Sequence, residues 1–200
     1  MRPRIGPGVW IGIPLSLLQS CTHPGQPIDP LLIANNFCLG SAIYDADRID
    51  DKASEEYATT LIAALLSAAF YCAHPKTVAL APVVLVLHTS YADLKAVIAP
   101  VKPFFVAAFW TICVFFTPLW MDASSAPVDV LDPASLFLSI ASLSHAADLL
   151  DVDEDADAGL QTPAVRMPKG EAKGYVVATA AFSCFLHAQS SWPLAWYDLL

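Results

Sequence analysis

Seven apolar segments run along the chain, and short polar or proline-containing stretches separate them. They fall near residues 8–21, 30–44, 57–73, 78–92, 103–120, 134–149 and 174–188. None shows the strict alternation of apolar and polar positions that marks a half-buried strand. Prolines stand at many segment edges, as is typical of helix boundaries. The pattern therefore predicts an all-α protein.

Composition places these helices in a membrane. The chain is 56% hydrophobic and 14% charged, whereas soluble domains carry about 25% charged residues. Several segments are shorter than the ~20 residues that a perpendicular span needs, so tilt and packing must compensate. We therefore expect one integral-membrane domain over residues 1–200, a polytopic transmembrane helical bundle of about seven membrane helices.

The distribution of cations supports this topology. If seven spans place the loops alternately on two sides, Lys76 is the only Lys or Arg on one side. The other side then holds Arg2, Arg4, Arg48, Lys52, Lys95, Lys102, Arg166, Lys169 and Lys173. Such a bias is the positive-inside pattern. Acidic motifs at 45–51 and 148–159 fall on that same side. With a net charge of −9 and no basic stripe, nucleic acid is excluded as a partner.

The acidic stretch 148–159, DLLDVDEDADAG, carries the clearest chemistry. Asp148, Asp151 and Asp155 are spaced i, i+3, i+7, so on one helix they would share a face. Clustered carboxylates repel one another and are costly at a membrane edge. Mg²⁺ is a hard cation that binds such oxygens and often shares its shell with phosphate. The stretch thus indicates a magnesium site, and the alternative is an acidic helix end in water.

A longer pattern surrounds these three acids. Gly159, Thr162 and Pro163 follow them in order, and a basic stretch, AVRMPKGEAKG, comes next. This order resembles the second acidic motif of the UbiA superfamily of membrane prenyltransferases. The resemblance implies Mg²⁺ held by Asp148, Asp151 and Asp155, with the metal binding a prenyl diphosphate. It also implies that Arg166 adds positive charge at the diphosphate.

A second similarity lies at Tyr91-Ala-Asp-Leu-Lys95, which looks like the YxxxK element of that family. The resemblance implies catalytic roles for both end residues, with Lys95 offsetting phosphate charge and Tyr91 donating a hydrogen bond. One helical turn separates them, so both can face the same cavity. The alternative is an interfacial tyrosine beside a lysine whose charged end reaches the membrane surface.

The first acidic motif departs from the family pattern. Ser41 and Ala42 stand where the family has an Asn-Asp pair, and an Arg-Pro-rich stretch is absent. Asp47 and Asp50 remain as metal-ligand candidates, and their i, i+3 spacing would let them share a cation. The site would then combine one well-matched motif with one damaged motif.

Polar side chains also occur inside the apolar segments. Asn35 and Asn36 are expected to bridge helices, and His88 and His145 to make helix–helix contacts. His145 precedes Asp148 by three residues, so it is also a candidate for lining the same cavity.

Three functions follow from these observations. The first is a degenerate UbiA-like protein retained as a structural or accessory subunit of a larger membrane complex, such as a photosynthetic supercomplex. The family usually has nine spans, so about seven would leave an open flank for membrane lipids or membrane-protein partners to cover. The second is an active Mg²⁺-dependent enzyme that moves a prenyl group from prenyl diphosphate to a lipophilic acceptor. The third is a protein that binds pigment or lipid. For the location we hypothesise the plastid thylakoid or the inner mitochondrial membrane.

Overall fold

Helices form almost all of the described chain. The computed structural model describes residues 12, 13, 16, 29–46, 49, 52–121 and 129–189. Within these ranges the elements are helical and no strand occurs. The all-α prediction is therefore confirmed for the part of the chain that is described.

The chain divides into two compact units. The first unit comprises Met1–Ala92 with Thr117–Ala123, and the second comprises Asp93–Phe116 with Ser124–Leu200. The first acidic motif belongs to the first unit and the second acidic motif to the second unit. Their predicted convergence, and the predicted single domain over residues 1–200, stay predictions.

Two helices form much of the first unit. Helix α1 spans Pro30–Gly40 and continues as a π-helical turn, Ser41–Asp45, and helix α2 spans Glu55–Cys72. The carboxylate of Asp29 accepts a hydrogen bond from the Leu31 backbone N–H and so caps α1. Ser54 caps α2 in the same way, through the Tyr57 backbone N–H. Each helix thus begins at a residue whose side chain satisfies an otherwise unpaired backbone donor.

Buried polar side chains join α1 to α2. The Ser67 hydroxyl donates to Asn35 Oδ1 over 2.7 Å, and Asn35 Nδ2 donates to the Tyr71 hydroxyl over 3.2 Å. Asn36 donates to the Ser16 hydroxyl over 3.3 Å. The prediction that the two asparagines bridge helices is confirmed for α1, α2 and the helical residues around Ser16.

The remaining helices follow in chain order. Helix α3 spans Leu80–Ile98, and a 3₁₀ turn at Ala99–Val101 leads into α4 at Lys102–Thr111. A π-helical turn, Ile112–Phe116, then continues into α5 at Thr117–Met121. The later helices are α6 (Leu131–Leu150), α7 (Val152–Asp157), α8 (Pro163–Arg166) and α9 (Lys169–Gln189). Helix α3 crosses the boundary between the two units.

Helix α6 is the centre of the second unit, where it packs against α4 and α9. Small polar residues form its contact with α9. The Ser183 hydroxyl lies 2.6 Å from the Ser139 hydroxyl and donates to the Ser135 carbonyl over 2.7 Å. The Ser142 hydroxyl donates to the Val176 carbonyl over 3.0 Å. Small residues allow this close approach, and their hydroxyls supply interhelical hydrogen bonds.

Among the described residues, two continuous helices are long and apolar enough to cross a membrane. They are Asp93–Met121, which includes α4 and α5, and Leu131–Leu150, which is α6. This finding rests on length and composition alone, and it permits a membrane protein. Six of the seven predicted apolar segments correspond to helices. The segment 8–21 lies mostly outside the described residues, although residues 12, 13 and 16 are helical.

Candidate functional site at the second acidic motif

The second acidic motif lies across a break between two helices. Helix α6 ends at Leu150 and α7 begins at Val152, with Asp151 between them at φ −100° and ψ 12°. The expectation that one helix carries Asp148, Asp151 and Asp155 on one face is therefore wrong. Carboxylates are unfavourable at the negative end of a helix dipole and favourable at its positive end. The break moves the later acids from the end of α6 into the first turn of α7.

A lysine side chain lies at the centre of this motif. Lys102, the first residue of α4, forms an ion pair with Asp148 in the last turn of α6, with Nζ and Oδ1 2.5 Å apart. The Asp148 side chain is only 2% exposed and that of Lys102 is 16% exposed. Asp151 and Asp155 also attract the Lys102 ammonium electrostatically. Of the three predicted metal ligands, Asp148 therefore pairs directly with Lys102, and the other two act on it electrostatically.

The glycine of the motif has a structural role. Gly159 follows α7 with φ 73°, in the left-handed region where a glycine avoids a steric penalty. The backbone N–H of Leu160 donates to the Asp155 carbonyl over 2.8 Å, and that of Gly159 donates to the Ala156 carbonyl over 3.0 Å. These two bonds form a Schellman motif, which ends the helix and reverses the chain.

The reversed chain brings Thr162 back to the acids. Its hydroxyl donates to Asp155 Oδ2 over 3.3 Å, and both side chains are buried. Pro163 then begins α8, where its fixed φ suits the first helical turn. Arg166 ends α8 and is exposed. Its predicted contact with a diphosphate stays a prediction.

Aromatic rings on α4, α6 and α9 contact one another in the second unit. His145, fully buried, lies edge-on to Tyr175 with ring centroids 5.1 Å apart. Tyr175 contacts Phe104 at 6.4 Å, and Phe104 stacks on Phe137 at 6.2 Å. His145 also interacts electrostatically with Asp148. The predicted helix–helix contact of His145 is confirmed by its packing against Tyr175 of α9, and its lining of a cavity stays a prediction.

Part of this cluster lacks hydrogen-bond partners. Asp148 Oδ2 and both ring nitrogens of His145 are buried without a hydrogen bond of good geometry. The His145 ring lies against the backbone of Ala172. A buried carboxylate oxygen without a donor is costly. The Lys102 ammonium is therefore the main source of stabilisation for the charged form of Asp148.

The first acidic motif follows a π-helical turn. Asp47 and Asp50, the predicted ligands, lie outside the described residues, and their role stays a prediction. Asp45 is described and buried at the end of the turn. His88 Nδ1 lies 2.9 Å from the Ala42 carbonyl, and the His88 ring packs against that of Tyr57 with ring centroids 5.0 Å apart. The expected helix–helix contact of His88 is thus confirmed, and it fixes the turn that precedes the motif.

The YxxxK element lies on α3, where Tyr91 and Lys95 are one turn apart and half-buried. Both side chains interact with other groups. Tyr91 belongs to the first unit and Lys95 to the second. Their catalytic and diphosphate-binding roles stay predictions.

The arrangement at the second motif differs from a magnesium site. A magnesium shell requires oxygens that converge at about 2.1 Å in near-octahedral geometry. Asp148 is paired with Lys102, and Asp155 accepts from Thr162. Among the described residues, no group of three or more His, Cys, Asp or Glu side chains is placed to hold a metal ion. The side chains, as placed, fit an ion pair instead.

The pairing of Lys102 with the second acidic motif is not predicted by the sequence pattern. The seven-span topology places Lys102 in a loop, and no Lys or Arg occurs between it and Arg166. Its place at the start of the apolar segment 103–120 was the available signal. A lone cation at a membrane helix end, opposite an acidic helix end, is a candidate partner for those acids.

Comparison with known proteins returned no relative. The chain matches no protein-family model, no curated protein and no solved structure. The resemblance to UbiA prenyltransferases therefore rests on the residues of the motifs.

Proposed function

We propose that this chain is a helical membrane protein with a structural or accessory role in a larger membrane assembly. On this proposal its prenyltransferase-like motif stabilises the helical fold and does not perform catalysis. The observation that carries the proposal is the ion pair between Lys102 and the buried Asp148.

The ion pair bears on catalysis because a metal ligand needs a free lone pair that faces the metal and its substrate. Asp148 Oδ1 is held by Lys102, and Oδ2 is buried. Asp155 is buried against Thr162. A diphosphate would have to approach these same oxygens through its Mg²⁺. The local roles of Lys102, Gly159 and Thr162 account for the motif without that ligand.

The outward side chains of α2 support a membrane setting. Leu61, Ile62, Leu65 and Leu66 are between 36% and 58% exposed. A contiguous apolar surface of this kind is unfavourable in water and is typical of a lipid or protein interface. On our proposal the seven predicted segments all cross the bilayer, and lipids and membrane-protein partners cover the outer helix faces.

One observation favours the alternative, an active prenyltransferase. Asp148, Asp151 and Asp155 all act electrostatically on one cation, Lys102, and in an active enzyme Mg²⁺ would take the place of that cation. The metal would supply charge neutralisation for the departing diphosphate. Lys95 and Arg166 would bind the diphosphate, and Tyr91 would orient it. Binding of a pigment or lipid is a third role.

Diphosphate release separates the first two functions. The purified chain in detergent would be incubated with geranylgeranyl diphosphate and Mg²⁺, alongside Asp148→Ala and Lys102→Ala. We expect no Mg²⁺-dependent release above the protein-free control from any of the three. Release by the wild type that Asp148→Ala abolishes would refute the structural role.

A second assay tests the assembly directly. In native membranes solubilised with a mild detergent, we expect the chain to migrate on a native gel in a complex far above its 21.4 kDa mass. Migration as a detergent-bound monomer across several mild detergents would count against an accessory subunit.

A further inference from the structure

We propose that Lys102 is the built-in cation of the second acidic motif, so that its buried carboxylate, Asp148, is neutralised from within the chain and needs no divalent ion. This inference rests on the proposed function, because both assign the acids of the motif a structural role. It assigns Lys102 the charge-balancing task that the resemblance gives to Mg²⁺.

The position of Lys102 supports this assignment. It is the first residue of α4, with Pro103 next to it and a 3₁₀ turn before it. Asp148, Asp151 and Asp155 all attract the Lys102 ammonium electrostatically. The packing of α4 against α6 keeps Lys102 close to Asp148.

Burial identifies the acid that depends on Lys102. Asp151 is exposed and can be solvated by water, whereas Asp148 is 1% exposed and has an unpaired Oδ2. A buried carboxylate needs a nearby positive charge. A divalent cation bound beside Asp148 would lie close to the Lys102 ammonium, and the two positive charges would repel. The motif therefore accommodates one cation, and Lys102 already supplies it.

The wild-type protein provides a test without any substitution. Thermal unfolding in detergent would be followed in EDTA and in millimolar Mg²⁺ or Mn²⁺. We expect the Tm to change by no more than about 1 °C, since a ligand that does not bind the folded state cannot stabilise it. Stabilisation of the wild type by Mg²⁺ that Asp148→Asn abolishes would overturn the inference.

Removing the lysine should make the protein dependent on an external cation. Lys102→Ala leaves Asp148 unpaired, and we expect its Tm to fall by about 10 °C. n-Butylammonium, which resembles the lost side chain, should restore a substantial part of that loss. The double variant Lys102→Ala/Asp148→Asn should show no such response. The exposed Lys169→Ala is the matched control and should retain the wild-type Tm.

The remaining outcomes are also decisive. A Lys102→Ala protein that is as stable as Lys169→Ala, or that does not respond to butylammonium, would overturn the inference. If Lys102→Ala does not fold, recovery of folding in Lys102→Met/Asp148→Asn supports the inference, and failure to recover contradicts it. The proposed function is tested separately: Mg²⁺-dependent release of diphosphate by the wild-type protein would refute it. A wild-type protein without activity but with Mg²⁺-dependent stability would refute only the inference.

Discussion

A double-mutant cycle on Lys102 and Asp148 measures how strongly the ion pair couples α4 to α6. Lys102→Met removes the charge and keeps much of the side-chain volume, and Asp148→Asn is nearly isosteric. Removing one partner of a buried pair costs about 3–5 kcal/mol, because the other charge is left uncompensated. Lys102 is 16% exposed, so its ammonium can reach some solvent and the lower end of that range applies.

The two single substitutions should have unequal effects. Lys102→Met leaves a carboxylate whose side chain is 2% exposed, and we expect a loss of about 3 kcal/mol in the free energy of unfolding. Asp148→Asn leaves a lysine that can turn toward solvent, and a loss of about 1.5 kcal/mol follows. The double variant contains no buried charge and should also lose about 1.5 kcal/mol, so the coupling energy is about 3 kcal/mol.

The cycle is measured by reversible unfolding in mixed micelles, with circular dichroism as the probe and all four proteins at one pH and one ionic strength. Because the pair is largely buried, 0.5 M salt should reduce the coupling only slightly. A coupling energy below about 0.5 kcal/mol, or effects of the two single substitutions that simply add, would refute the buried ion pair.

Three further predictions concern other parts of the chain. Ser183→Ala removes two hydrogen bonds to α6, and we expect a loss of about 1 kcal/mol in the free energy of unfolding; an unchanged value would contradict this contact. Gly159→Ala forces a side chain into φ 73° and should cost about 1 kcal/mol, whereas Gly174→Ala, which meets open space inside α9, should stabilise by about 0.5–1 kcal/mol; equal effects would refute the strained position. In a cysteine-free background, Lys76→Cys and Lys169→Cys should be labelled by an impermeant maleimide from opposite sides of sealed vesicles, as the positive-inside pattern requires; labelling from the same side would exclude the seven-span topology.

Local patterning predicted the helices well. The apolar segments at 57–73 and 134–149 correspond to α2, Glu55–Cys72, and α6, Leu131–Leu150. The interhelical role of Asn35 also followed from its setting, because an amide in an apolar helix needs a polar partner. These features depend on neighbours a few residues away, so the order of residues contains the necessary information.

The same patterning failed at Asp151. The spacing of the three acids suggested one continuous helix, but α6 ends before this residue and α7 begins after it. Carboxylates are destabilising at the C-terminus of a helix and stabilising at the N-terminus of the next one. Sequence periodicity contains no information about this difference. The left-handed Gly159 and the return of Thr162 to Asp155 depend on that break.

The sequence by itself determined a helical, apolar chain with one concentrated group of acids and a marked bias in the placement of its cations. Only the tertiary structure decided which cation meets those acids, because Lys102 and Asp148 are 46 residues apart and lie on different helices. A hydrophobic pattern specifies which face of each helix is buried, but many pairings of helices can bury the same faces. The packing of α4 against α6 selects one pairing, and that choice places Lys102 against Asp148.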